Sequence, residues 1–267
     1  MTQRLLPAVI LLLTLPVVAQ SSTEIEAHLR RDYLGQQMLI RGFYGGAHLH
    51  YEADGKVIEG GPSLSWTLSA MRIESLVLHD HELLLGGKRI ALVYDREHEK
   101  FISYKQTLGD IEVSVASDTP MQQAQLVQAL DRVFISQKEK LAELAPPHWR
   151  TILEKIAGEA STVQATGGDA PSMSDLAKDG WEPPRPISPP DPPFNVYARN
   201  AQFSGTPELL VTVGADGLVH DIQIEKPEGF GLDDDAVAGV STWRFKPAQK
   251  EGKVSAVRLR MMMSIHP

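Results

Sequence analysis

The chain has 267 residues and a formal net charge of −8. This charge disfavours nucleic acid as a partner, because binding to phosphates requires a basic face that displaces counterions. The sequence contains no cysteine, which excludes disulfides, a thiolate nucleophile and zinc–thiolate sites. The length suits one large domain or two ordinary ones, and two is the better expectation.

Residues 1–19 predict an export signal. Residues 5–19 form an apolar run interrupted by Pro7 and Pro16, and this run is shorter than the ~20 residues of a membrane-spanning helix. Compact residues near Ala19 fit the positions that a signal peptidase reads. We therefore predict a signal peptide over residues 1–19, a mature chain from residue 20 and a periplasmic location. The alternative is an uncleaved inner-membrane anchor formed by residues 5–19.

Residues 32–117 predict an antiparallel β-rich fold. Short runs with alternating apolar residues are separated by pairs such as Gly60-Gly61 and Gly86-Gly87, where reversal of the chain is favourable. Apolar residues at helical spacing then predict a helix over residues 121–144, followed by a second, short helix over residues 148–157. These elements make up a predicted first domain over residues 20–157, for which no family resemblance is evident.

A linker is predicted over residues 158–193. Residues 158–178 are mostly small and polar, and the stretch PPRPISPPDPP at residues 183–193 is rich in proline. Proline-rich chain favours the polyproline II conformation, in which this stretch alone spans about 35 Å. The sequence therefore predicts a semi-rigid spacer between two domains.

The residues after the linker predict a small α+β domain over residues 194–267. In chain order they indicate a short helix, two strands joined by an Asp-Gly turn, a second helix and a last strand, at residues 198–203, 208–213, 218–225, 232–243 and 254–265. Three consecutive aspartates at residues 233–235 open the second helix, where carboxylates suit the positive end of the helix dipole. This order of elements predicts a two-layer domain with an antiparallel sheet.

The stretch STWRFKPAQKEGK, residues 241–253, predicts a packing corner at the end of that helix. Trp243 closes the apolar helix face, and Phe245 lies just beyond it. Pro247 disfavours helical geometry in the residue before it, so we expect both aromatic side chains to turn inward. Arg244 and Lys246 then point outward. The alternative reading is a cation-recognition site.

A known family has the same arrangement. The matching residues are Ala198, Arg199, Gly205, Leu209 to Val213, Asp216, Gly217, Val219, Ile222, Ile224, Gly231, Leu232, Asp233, Ala236, Trp243, Arg244, Phe245, Lys246, Pro247, Ala248 and Gly252. On these residues, the segment 192–267 resembles the C-terminal domain of TonB, the periplasmic energy transducer of bacterial outer-membrane uptake. The sequence departs from the family at Phe194-Asn195, where the family has a Tyr-Pro pair, and at Pro207.

The resemblance implies a binding role in transport across the outer membrane, with no catalysis and no cofactor. In the family, a short extended segment of an outer-membrane receptor, the TonB box, adds as a strand to an exposed sheet edge. The candidate edge is the predicted last strand. The residues expected at the partner are Phe194, Val257, Arg258, Leu259, Arg260, Met261 and Met262. The two arginines fit either a guard against unwanted pairing or an attraction for an acidic segment.

Two other partners depend on open alternatives. An uncleaved N-terminus implies contact with inner-membrane motor proteins, because family members that transmit energy keep a membrane helix. The same sheet edge also suits pairing with a second copy of the chain, which predicts an exported scaffold or adaptor that forms homodimers.

Two patterns outside the C-terminal domain indicate other chemistry. His48 and His50, like His79 and His81, are spaced so that both imidazoles share one face of a strand, which makes metal binding a third hypothesis. A hydrolase is disfavoured, because GGPSLSW at residues 60–66 lacks the second glycine of a nucleophile elbow.

Overall fold

The computed structural model describes residues 21–42, 46–60, 65–136, 139–158 and 170–266. The predicted signal peptide and most of the first part of the predicted linker lie outside the described residues. Within those ranges, no helix combines the length and the apolar character needed to cross a membrane.

The N-terminal region is built on one large sheet. Its elements are α1 (Ser22–Tyr33), β1 (Gln37–Ile40), β2 (His48–Glu52), β3 (Val57–Glu59), β4 (Ser69–Leu78), β5 (Glu82–Asp95), β6 (Lys100–Ala116), α2 (Gln123–Val133) and β7 (Phe134–Ile135). The strand order is β3-β2-β6-β5-β4-β1-β7. Neighbouring strands are antiparallel, except that β2 pairs with β6 in parallel. The β-rich prediction is thus confirmed, with one parallel pair added.

Helices α1 and α2 share an apolar core with this sheet. Before α1, the Ser21 side chain accepts the N–H of Glu24 while the Glu24 carboxylate accepts the N–H of Ser21, so a capping box starts the helix. Ile25 and Leu29 of α1 and Leu126 of α2 are buried in one cluster with strand residues. The N-terminal region therefore has its own core.

The helix predicted over residues 121–144 is wrong in its length. Helix α2 ends at Val133, and the next residue, Phe134, is already extended, with φ −108° and ψ 152°. Phe134 and Ile135 pair with Ile40 and Leu39 of β1 and are buried there. Burial against the sheet thus overrides the helical spacing, since propensity is a weak guide beside tertiary packing.

The rest of the chain adds short helices and a second set of strands. Its elements are α3 (Leu141–Leu144), a 3₁₀ turn (Pro147–Trp149), α4 (Arg150–Ile156), α5 (Met173–Lys178), β8 (Trp181–Glu182), β9 (Arg185–Pro186), α6 (Val196–Asn200), β10 (Glu208–Val213), β11 (Val219–Lys226), α7 (Leu232–Thr242), β12 (Phe245–Lys246), β13 (Ala248–Lys250), β14 (Lys253–Ser255) and β15 (Val257–Met262). The short helix predicted over residues 148–157 is confirmed by the 3₁₀ turn and α4.

The C-terminal region has the predicted two-layer α+β core. Strands β11, β10 and β15 form an antiparallel sheet in that order. Leu232 and Val240 of α7 share an apolar cluster with Leu209 of β10 and Leu259 of β15. The predicted last strand, residues 254–265, is divided: β14 pairs with β13, and only β15 joins the main sheet.

The segment predicted as a flexible linker, residues 158–193, is not a free spacer where it is described. Strand β8 pairs with β13, and β9 pairs with β12. Proline fits β9 because an edge strand leaves one side of its backbone without ladder bonds. Residues 170–193 therefore lie along the C-terminal region instead of separating it from the N-terminal region.

The corner at residues 241–253 is confirmed as a packing feature, with one correction. Phe245 is buried, while Arg244 and Lys246 are exposed. Trp243 is only half-buried, since it caps α7 in an extended conformation and so leaves the apolar helix face. Its indole N–H donates to the carbonyl oxygen of Pro190 at 3.1 Å. The tryptophan thus holds the proline-rich segment in place.

The two regions are in direct contact. The far end of the β5–β6 hairpin meets the loop before α7, where the N–H of Tyr94 donates to the carbonyl oxygen of Glu228 at 3.1 Å. The Arg96 guanidinium contacts the carboxylates of Glu208 at 3.0 Å and Glu228 at 2.5 Å. One apolar cluster contains side chains from both regions, among them Leu92 and Leu209. The hairpin is therefore docked on the C-terminal region.

Candidate functional site

The predicted docking edge is the outer side of β15. Strand β15 pairs with β10 from Val257, opposite Val213, to Met262, opposite Glu208, and it is the last strand of its sheet. The side chains of Val257, Leu259 and Met261 are buried in the core. Backbone groups alternate along a strand. The N–H of Met263 bonds to Pro207 on the β10 side, so the backbone groups of these three residues also face β10, and a partner strand would pair with the residues between them.

The outer side of β15 is partly covered by another segment of the chain. The N–H of Arg260 donates to the carbonyl oxygen of Pro171 at 3.0 Å, and Ser172 forms an isolated parallel bridge with Arg260. The expectation of an open edge is therefore wrong at this position. Backbone groups two residues apart point to the same side of a strand, so the N–H of Met262 also faces away from β10.

The residues that cover this position form a compact unit, which we call the cover segment (residues 171–178). The segment contains α5, whose residue Leu176 is buried in the C-terminal apolar cluster and whose residue Met173 packs against it. Ser172 and Asp175 form a capping box at the start of the helix. The sequence does not reveal this contact, because the surrounding residues are small and polar, as in a linker.

The two arginines of β15 are engaged within the sheet. The Arg260 guanidinium donates to both oxygens of Glu225 on β11, at 2.6 and 2.8 Å. This bond holds the pKa of Glu225 below its usual value. Arg258 lies 3.7 Å from the carboxylate of Asp221. Both positive charges are thus balanced by β11 carboxylates, which weakens the idea that they attract an acidic partner.

The remaining two predicted partner residues lie in different surroundings. Met262 is 69% exposed, so its side chain is available at the end of β15. Phe194 is half-buried and packs against the C-terminal core, with the Arg199 guanidinium 5.5 Å from its ring centroid. No contact among the described residues places Phe194 beside β15.

The residues that carried the family resemblance come together in space. Gly217, with φ +75°, accepts the N–H of Phe245 on its carbonyl oxygen at 2.9 Å. Asp216 accepts the N–H of Leu218 at 3.0 Å, and that bond, together with His220, lowers the pKa of Asp216. The Asp-Gly turn and the aromatic corner thus form one contact.

The aspartates at the start of α7 do more than favour the helix dipole. Asp234 accepts hydrogen bonds from His148 Nε2 at 2.7 Å, from Trp149 Nε1 at 3.0 Å and from the N–H of Trp66 at 2.8 Å. These donors all belong to the N-terminal region or to the residues that follow it. Asp234 therefore joins the two regions, a role that no spacing in the sequence reveals.

The two neighbouring aspartates are buried. Asp235 accepts from Ser65 Oγ at 2.5 Å and from Asn195 Nδ2 at 2.6 Å, while burial raises its pKa. Asp233 accepts the N–H groups of Glu228 and Gly229, each at 2.8 Å. Burial raises the pKa of Asp233 to about 7, although these two bonds oppose the rise.

The described residues contain no cluster of side chains that supports the metal-binding hypothesis. His48 lies 3.4 Å from the Glu112 carboxylate, and His50 contacts the Ser114 hydroxyl at 2.5 Å. Among the described residues, no three His, Asp or Glu side chains are arranged to hold a metal ion.

Comparison with known proteins finds matches to the C-terminal region. Residues 190–265 match the family model described as the Gram-negative bacterial TonB protein C-terminal. A similar solved structure is the solution NMR structure of the Pseudomonas aeruginosa TonB CTD, at 22% identity, covering 32% of this chain and 88% of that chain with a TM-score of 0.28. No curated protein matches the chain. The resemblance is confirmed by the family match for this segment, which is under a third of the chain.

Proposed function

We propose that this chain is a periplasmic, TonB-like protein that supports transport across the outer membrane. The family match of residues 190–265 carries this proposal. Export by residues 1–19 is part of it. Inner-membrane motor proteins are further partners only if residues 5–19 stay attached as an anchor. The proposed role is binding, and it uses no cofactor.

The proposed mode of binding is strand addition at β15. An extended receptor segment would pair with the outer backbone of β15 and gain main-chain hydrogen bonds there. Two features support this mode: β15 borders its sheet, and the N–H of Arg260 already bonds to an extended segment on that side. Met262 supplies an exposed side chain next to the same edge.

The test is a calorimetric titration of the full chain with synthetic peptides from the N-terminal segments of outer-membrane receptors. Met262→Pro removes one outward N–H and leaves the β10 ladder intact, because proline is tolerated where an edge N–H faces outward. We expect about tenfold weaker binding for this variant, the effect of one lost main-chain bond plus the obstructing ring.

Met262→Ala is the matched control, since it shortens the side chain and keeps the N–H. Binding that is equally strong in Met262→Pro and in the wild type would place the peptide elsewhere. A chain that binds no receptor peptide and elutes as a dimer would instead support the exported scaffold.

A further inference from the structure

We propose that the cover segment holds the docking edge of β15 closed, and that a receptor segment binds only after the cover segment is released. This inference rests on the proposed function. It identifies residues 171–178 as an occupant of the edge that competes with the partner.

The competition follows from shared backbone groups. Strand addition requires the outward N–H and carbonyl groups of β15, and the N–H of Arg260 is bonded to Pro171. The bridge between Ser172 and Arg260 puts the cover segment at the distance of a neighbouring strand. A second strand cannot occupy the same space, so the two occupants exclude one another.

The cover segment is suited to release. Its contact with the backbone of β15 is short, because α5 begins at Met173, directly after the bridge. The capping bonds between Ser172 and Asp175 lie within the segment, so they remain when it moves away. Its apolar attachment consists of the buried side chain of Leu176 and the partly buried side chain of Met173, which packs against the same cluster. The apparent affinity for a partner then scales with the fraction of molecules in which the edge is open.

A reversible crosslink tests the inference directly. The chain has no cysteine, so Ser172→Cys with Arg260→Cys introduces a single possible disulfide. Neighbouring strands lie about 4.7–4.9 Å apart, which is within the Cα–Cα distances that a disulfide spans. We expect the oxidised full chain to bind the receptor peptides at least about tenfold more weakly than the reduced chain. Arg260→Cys alone is the control and should not respond to reductant.

A loosened variant tests the same contact from the other side. Leu176→Ala removes the buried anchor, whereas Lys178→Ala changes an exposed residue of the same helix. We expect Leu176→Ala to speed hydrogen exchange at the Arg260 amide and to tighten peptide binding, each by roughly tenfold. Lys178→Ala should change neither.

The outcomes separate the two proposals. If the reduced and the oxidised crosslink variants bind a receptor peptide equally well, the cover inference fails and the proposed function stands. An Arg260 amide that exchanges at the same rate in Leu176→Ala and in the wild type also overturns the inference. If no form of the chain binds any receptor peptide, the proposed function is wrong. The inference is then wrong as well, because it rests on that function.

Discussion

Asp233 is a fully buried carboxyl group whose protonation is linked to folding. Burial raises its pKa to about 7 from an ordinary value of 3.8, and the charges of Glu228 and Asp234 act in the same direction. The folded chain therefore holds this proton more tightly than the unfolded chain. The stabilisation is complete below the unfolded pKa and is lost as the pH rises through the folded pKa.

We predict a pH-dependent loss of stability that depends on Asp233. Between pH 3.8 and about 7, the free energy of unfolding of the wild type should fall with rising pH relative to Asp233→Asn, which cannot titrate. Urea titrations over this range measure the difference. Asp191→Asn, at an exposed position, is the control and should follow the wild type. Parallel profiles for the wild type and Asp233→Asn would contradict the prediction.

For the three aspartates, the sequence predicts the local position but not the distant hydrogen-bond partners. The sequence correctly indicates that Asp233 lies at the start of a helix, because acidic residues before an apolar period are a local signal. It does not indicate that Asp234 meets His148 or that Asp235 meets Ser65. Those partners are distant in sequence, and only the folded chain brings them together.

At the scale of single elements, the turn between β10 and β11 is the most constrained. Gly217 has φ +75°, and a Cβ there would lie 2.2 Å from the carbonyl oxygen of Phe245. This oxygen belongs to the backbone, so it cannot move away from a Cβ as easily as the end of a flexible side chain could. The turn and the aromatic corner therefore fit together only with glycine at this position.

We predict that Gly217→Ala destabilises the chain far more than Gly252→Ala. Gly252 has the same φ, +75°, but a Cβ there meets nothing within 4 Å. The control should thus cost only the left-handed strain of about 1 kcal/mol, while Gly217→Ala should cost several times as much. Thermal or urea unfolding compares the two variants. Similar losses would show that the contact with Phe245 adjusts easily.

Elements with strong periodicity were predictable, and those that depend on distant contacts were not. The alternation of buried residues along β15 appears in the sequence because one face of the strand must be apolar. The predicted helix over residues 121–144 is too long, since Phe134 pairs with β1 instead. Helix α1 is absent from the predicted elements, although Ser21 and Glu24 carry its capping signal. The sequence does not reveal the cover segment, because its composition resembles that of a linker.

At the scale of the whole molecule, Asp234 is a contact between the two regions. Its carboxylate accepts three hydrogen bonds from residues 66, 148 and 149. In Asp234→Asn, an NH₂ group replaces one of the two carboxylate oxygens. This NH₂ group is a donor, and it would face a neighbouring donor with which it cannot form a hydrogen bond. Leaving a buried polar group without its partner costs about 1–3 kcal/mol.

We therefore predict that Asp234→Asn lowers the free energy of unfolding by about 1–3 kcal/mol. Asp118→Asn is the control, because Asp118 is exposed in the N-terminal region. Urea unfolding followed by tryptophan fluorescence is a suitable measurement, since Trp66 and Trp149 lie at the contact. A variant as stable as the wild type would mean that the regions associate without this carboxylate.

The division into a domain over residues 20–157 and another over residues 194–267 remains a prediction. The sequence supports it through the proline-rich stretch between them. The structure adds a contact that this pattern does not reveal, because the side chains that join the regions come from isolated positions such as Leu92 and Arg96. Composition can indicate a boundary between domains, but it does not indicate whether the two domains contact each other.

The position of Arg96 bears on how this protein is dissected for study. Glu208 is only 8% exposed and faces both Arg96 and Lys226. A fragment cut at the proline-rich stretch would lose the guanidinium and bare the apolar surface that the hairpin end shields. Such a fragment would tend to self-associate through the newly exposed apolar surface. This self-association would result from the truncation and would not be a property of the full chain.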